Sequence, residues 1–128
     1  MRTSKITLIA AGLFSLCITA ALAQTAPATT ADTSKGKSLV NGDGMTLYIF
    51  DRDTTGKSNC NGQCASNWLP LIATVDAKAA ADFTLVTRDD GRKQWAYKGK
   101  PLYTWSKDSK PGDATGDGVN SVWHIAAP

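Results

Sequence analysis

The stretch Gly44-Met45-Thr46-Leu47-Tyr48-Ile49-Phe50-Asp51-Arg52-Asp53 returns as Gly99-Lys100-Pro101-Leu102-Tyr103-Thr104-Trp105-Ser106-Lys107-Asp108. Both copies read Gly-x-x-Leu-Tyr-x-aromatic-x-x-Asp, and each matched pair, like Trp68 and Trp123, lies 55 residues apart. A gapless repeat of this length is one supersecondary unit used twice, each copy completing its core against the other. Within the first copy Leu47 and Ile49 alternate with Tyr48 and Phe50, the period of two that a strand requires. Both faces of that strand are apolar, which places it at the centre of a sheet.

Working outward, Ser38-Leu39-Val40 and Met45 to Phe50 flank Asn41-Gly42-Asp43-Gly44, which predicts a β-hairpin. Residues 53–64 hold no run able to pack and form a long loop, after which Trp68 to Ile72 re-enter the core. Asp76 to Asp82 is the one stretch with helical propensity, two turns joining the halves. Phe83 to Arg88, a turn at Asp89-Asp90-Gly91, Arg92 to Lys98 and Pro101 to Trp105 read as a three-stranded meander. A second Gly/Asp loop, 108–120, leads to a last strand, Ser121 to Ile125. The expected fold is a small, mainly β single domain of about seven short antiparallel strands. It is built from two internal repeats, about 39–73 and 94–128, with one short helix between them.

Arg2 and Lys5, the apolar run Ile6 to Leu16 and the closing Ala21-Leu22-Ala23 have the form of a secretory signal peptide, residues 1–23. Its apolar run is too short to span a bilayer. Residues 24–37 are mostly Ala, Thr, Ser, Pro and Lys with no large apolar side chain, the composition of a disordered leader; the β domain then occupies 38–128. Removing Arg2 and Lys5 from the fourteen basic residues leaves twelve against eleven acids, a balance without a nucleic-acid footprint. All eleven acids are aspartate, which favours turns and caps over helix interiors. These features predict a periplasmic or secreted protein without a transmembrane segment after cleavage, whose partner is a small molecule or an envelope protein. Cys17 follows Leu16 inside the apolar run, a poor context for lipid attachment.

Cys60 and Cys64, four apart across Asn61-Gly62 in an exported chain, are expected to form a structural disulfide. With the imidazole of His124 they also make a candidate soft-metal set, suited to copper or zinc. Tyr48 with Phe50 and Tyr103 with Trp105 each share a sheet face, and Asp53 and Asp108 fall where strand gives way to loop. Two readings of these six residues stand side by side. In one they are core and caps, the aspartates accepting turn amides or tyrosine hydroxyls. In the other the two Tyr/aromatic pairs line a pocket for a flat ligand such as haem or a quinone. Asp113 and Asp117 in the second loop approach calcium-like spacing but miss the D-x-D-x-D-G-x5-E pattern. No Ser/His/Asp order, glutamate pair or phosphate loop occurs, so no catalytic residue is assigned and the chain does not read as an enzyme. The leading expectation is a non-catalytic binding or interaction module without a cofactor. The alternative is an extracytoplasmic redox or electron-transfer protein binding haem or copper.

The two Y-x-[FWY]-x-x-D motifs, Cys60-x-Gly62-x-Cys64-Ala65-x-x-Trp68-x-Pro70-Leu71 and Arg88-x-Asp90-Gly91-x-x-Gln94-x-x-Tyr97 occur in one order. In this they resemble the bacterial "secreted repeat of unknown function" family, lipoproteins named for that motif. The resemblance runs from about Leu39 to the C-terminus and implies an extracytoplasmic protein. The chain departs from the family name in lacking a credible lipid-attachment cysteine.

Overall fold

The structure, a computed structural model, describes Gly12 and residues 26–128. The segment expected to be a signal peptide, Gly12 apart, and the expected cleavage site lie outside the described residues. Nine strands follow in order: β1 Thr29–Thr33, β2 Gly36–Val40, β3 Leu47–Phe50, β4 Trp68–Pro70, β5 Phe83–Thr87, β6 Lys93–Tyr97, β7 Lys100–Pro101, β8 Tyr103–Trp105 and β9 Trp123–Ile125. One short helix, α1 Gln63–Asn67, precedes β4, and a 3-10 turn at Val119–Ser121 precedes β9. The chain is mainly β and antiparallel, as its repeats predict.

The central sheet has the order β4-β8-β3-β9. Exchanging the repeats turns β3 into β8 and β4 into β9, and reverses the order onto itself. The pairing obeys the same operation. Phe50 opposite Trp123 becomes Trp105 opposite Trp68, and Ile49 opposite His124 becomes Thr104 opposite Leu69. Tyr48 and Tyr103 face each other across the pseudo-twofold axis. The motif strand β3 therefore has two neighbours, and both come from the other repeat.

Each repeat also contributes a hairpin, β1-β2 to the first and β5-β6 to the second. Each hairpin is bonded to the Trp strand of the other repeat. The Leu39 amide donates to the Ala126 carbonyl and the Trp95 amide to the Leu71 carbonyl, both at 2.8 Å. The Ala126 and Leu71 amides in turn donate to the Leu47 and Leu102 carbonyls. Buried polar side chains finish both joints: the Ser38 hydroxyl donates toward the Leu47 carbonyl and the Gln94 amide to the Leu102 carbonyl.

Period-two alternation sorts the central sheet into two cores. Leu47 and Leu102 pack with Leu39, Trp95, Ala73 and Ala126 under the hairpins. Tyr48, Tyr103, Trp68 and Trp123 pack with Cys60 under the two long loops.

Three expectations need correction. Residues 29–37 are not a disordered leader: they hold strand β1 and the start of β2. Polar composition hid a hairpin because threonine is a good strand former, the two-residue Ser34-Lys35 turn is tied by the Thr33 side chain, and buried Ala28 anchors the entry. Residues 76–82 are not helical; they form turns and an isolated bridge from Ala80 to Phe83. A two-turn segment flanked by a fully exposed Val75 has no apolar face to bury, and propensity alone does not hold so short a helix. The helix present instead, Gln63–Asn67, starts at the end of the loop closed by the cysteines and leads into β4. The meander's third strand breaks at Leu102: β7 completes the hairpin sheet, and β8 crosses into the central sheet. With β1, that split accounts for nine strands rather than seven.

Candidate functional site

On the tyrosine face four rings lie in one column, Trp105, Trp68, Trp123 and Phe50. Their centroids are 3.9, 3.8 and 4.2 Å apart and their planes are inclined by 26°, 3° and 10°. The repeat operation exchanges the outer pair, Phe50 with Trp105, and the inner pair, Trp68 with Trp123. Tyr48 meets Trp68 edge-on at 5.3 Å and Tyr103 meets Trp123 edge-on at 5.2 Å, again as equivalents. The inner tryptophans are buried and the outer rings half-buried. Gly116 lies so close that a Cβ there would approach Trp68 Cη2 to 2.7 Å and Trp105 Cγ to 3.0 Å.

The tyrosine hydroxyls cross between repeats. Tyr48 donates to Asp108 Oδ2 at 2.6 Å and Tyr103 to Asp53 Oδ2 at 2.7 Å, and both tyrosines are fully buried. The second carboxylate oxygens hold the loops: Asp53 Oδ1 accepts the Asn59 amide, and Asp108 Oδ1 accepts the Thr115 amide and hydroxyl. Burial, and then the bond to Asp108, push the Tyr48 hydroxyl far above its ordinary value; burial and the bond to Asp53 do the same to Tyr103. Burial also holds the Asp53 carboxyl above its ordinary range, against the opposing pull of the Asn59 amide, Tyr103 and the Arg88 charge.

The two ends differ in their supports. Beside Tyr103, Ser58 lies 2.6 Å from the tyrosine oxygen and accepts from Arg88, whose guanidinium also donates to Gln94 Oε1 and the Cys60 carbonyl. Arg88 is buried, and among the described residues its Nε is the buried side-chain atom without a hydrogen-bond partner. Cys60 and Cys64 are joined in a disulfide that packs on this cluster. Beside Tyr48 the positions 55 residues on from the cysteines are Thr115 and Val119, and the Gly116 amide donates to the Tyr48 oxygen at 3.2 Å.

The six motif residues thus come together, and the remaining candidates do not. His124 pairs with Asp51 at 2.7 Å on the exposed side of β9. Asp113 accepts the Ser109 amide and hydroxyl and the Lys110 amide, and those bonds hold its carboxyl below the ordinary range. Asp117 accepts the Ile125 amide. Among the described residues no three His, Cys or Asp side chains converge as a metal set. The inner tryptophans belong to the site although the motif does not contain them; their 55-residue spacing was the available signal. Arg88 stands in a motif of the resemblance, but nothing in the sequence marked it as buried, since a charge at a hairpin end reads as solvated.

A shallow cavity of about 190 Å3 adjoins the Phe50 end of the column, lined by Phe50, Asp51, Asp53, Thr54, Thr55 and Lys100 among others. No helix among the described residues is long and apolar enough to cross a membrane. Neither a curated protein nor a solved structure matches the chain. A family model does, twice, over residues 29–72 and 84–127, so that both matches keep the 55-residue offset and take in the hairpins β1-β2 and β5-β6. The chain belongs to the family described as a secreted repeat of unknown function.

Proposed function

We propose that the protein is a non-catalytic module of the periplasm or the secreted fraction that holds a small molecule or an envelope protein against the ends of its aromatic column. One observation carries this reading. The motif tyrosines and aspartates are turned inward and bonded to one another, Tyr48 to Asp108 and Tyr103 to Asp53, so none of them meets a ligand directly, while Phe50 and Trp105 keep partly exposed faces. The cavity beside Phe50 is small and mixed in character, with Asp51, Asp53 and Lys100 on its walls, which suits a compact polar ligand or a protruding side chain.

Two measurements test it. Absorbance and elemental analysis of the protein purified from the extracytoplasmic fraction should show neither a Soret band nor stoichiometric copper; either one would establish the cofactor reading instead. Titration of the labelled protein with a small-molecule fragment set, followed by NMR, should shift Phe50, Thr54, Thr55 and the Trp105 indole. Shifts confined to other surfaces would refute the column ends as the contact.

A further inference from the structure

The column joins the surface to a buried phenol that is hydrogen-bonded to a base. Trp105 is its half-exposed end, Trp68 stacks on Trp105 at 3.9 Å, and Tyr48 touches Trp68 edge-on. Tyr48 is fully buried and its hydroxyl sits 2.6 Å from an Asp108 oxygen. One-electron oxidation of a phenol is easiest when its proton leaves in the same event, and a carboxylate at hydrogen-bond distance receives that proton without solvent. From this geometry we infer that the protein is a one-electron relay: an oxidising radical takes an electron at Trp105, and the electron deficit moves through Trp68 to Tyr48 as the Tyr48 proton passes to Asp108.

The balance is simple. The oxidant, a one-electron acceptor such as an oxygen-centred or azide radical, gains one electron. Tyr48 loses that electron and its hydroxyl proton to become a neutral tyrosyl radical, and the Asp108 carboxylate becomes a carboxylic acid. No bond between heavy atoms is made or broken.

The charges favour this direction. Lys107 Nζ stands 5.8 Å from the Trp105 ring centroid and disfavours a positive hole on the outer ring. The Asp108 carboxylate favours it at the inner end. At the equivalent Tyr103, Ser58 contacts the hydroxyl and ties it to the buried Arg88 guanidinium, a positive charge that opposes oxidation there. Tyr48 is therefore the terminus, although the rings themselves are symmetric. Its complete burial withholds the radical from coupling with a second molecule.

Pulse radiolysis with azide radical tests the relay in a Tyr97→Phe background, which removes the half-exposed third tyrosine. The tryptophanyl radical band should decay as the tyrosyl band grows, at a first-order rate independent of protein concentration. Adding Tyr48→Phe should abolish the tyrosyl signal, while adding Tyr103→Phe should leave it. Asp108→Asn, which keeps the shape of Asp108 but removes the proton acceptor, should slow tyrosyl growth and supplies a second arm if Tyr48→Phe fails the circular-dichroism check of folding. Absence of tyrosyl growth, growth that survives in folded Tyr48→Phe, or an Asp108→Asn rate equal to that of the parent would overturn the inference.

Discussion

Tyr103→Phe removes one oxygen and tests whether the repeated motif is a structural lock between repeats. In the folded protein that oxygen donates to Asp53 Oδ2 at 2.7 Å and contacts Ser58 Oγ at 2.6 Å, with the ring fully buried against Trp123. Phenylalanine fills the same space, so no cavity forms and the loss is that of the hydrogen bonds. A bond to a carboxylate contributes roughly 1.5–3 kcal/mol, and Ser58 keeps Arg88 as a partner, so the expected loss is about 2 kcal/mol. For a domain of this size that lowers the melting temperature by roughly 10 °C. Asp53→Ala should cost at least as much, because the Asn59 amide also loses its acceptor. If the contact is the lock, the double substitution costs less than the sum of the singles, with a coupling energy of order 1 kcal/mol. Chemical denaturation of the four proteins gives the cycle directly. Additive losses, or a Tyr103→Phe variant as stable as the parent, would show that the hydroxyl does not hold the repeats together.

Gly116→Ala drives a methyl group into Trp68 and Trp105 and should destabilise by roughly 1–3 kcal/mol, with a changed near-ultraviolet dichroism that reports the disturbed column. Cys60→Ala with Cys64→Ala opens a five-residue loop and should lose on the order of 2 kcal/mol by thermal melting while remaining folded. Asp53 binds its proton more tightly folded than unfolded, so its contribution is complete below the ordinary value of 3.8 and is lost as pH rises through the elevated folded value; relative to Asp53→Asn, the parent should lose stability over that window, and a pH-independent difference would refute the assignment. The same sign applies to Tyr48 and Tyr103 in alkali: two of the three tyrosines should ionise only with unfolding in an ultraviolet titration, destabilising the protein above about pH 10. Residues 29–72 alone should give no dispersed NMR spectrum, because both neighbours of β3 belong to the other repeat, and mixing with 84–127 should restore it.

The parts of the fold readable in the sequence are those fixed by side-chain period. Alternation in Leu47 to Phe50 placed a central strand, and the 55-residue spacing placed Tyr48, Tyr103 and the two aspartates as equivalents. The crossing of Tyr48 to Asp108 and Tyr103 to Asp53 was not readable, since either tyrosine could have met the aspartate of its own copy. Strand order decides that, and strand order is a long-range property. Residues 29–37 of the hairpin β1-β2 escaped because they carry no large apolar side chain and are held by backbone pairing and a side-chain turn. Arg88 escaped because its burial depends on a loop thirty residues earlier bringing up Ser58 and the Cys60 carbonyl as acceptors.

Symmetry in the rings and asymmetry in their supports explain each other. A duplicated unit that pairs with itself across β3 and β8 makes Trp68 stack on Trp123, because each is the register partner of the other repeat's outer ring. That stack requires both long loops to close over the same face, but the loop sequences have diverged. At the Phe50 end the closure uses a disulfide and a buried arginine, a covalent link and charge-assisted hydrogen bonds that hold Ser58 and Cys60 in place. At the Trp105 end it uses the smallest residue, Gly116, lying on the indoles, with Asp108 gathering the Thr115 amide and hydroxyl. The first solution adds positive charge beside Tyr103, and the second leaves Tyr48 with a carboxylate and a backbone amide. Two tyrosines that are equivalent in the fold are therefore inequivalent in chemistry, and a difference between Tyr48 and Tyr103 in any redox measurement reads out the loops rather than the rings.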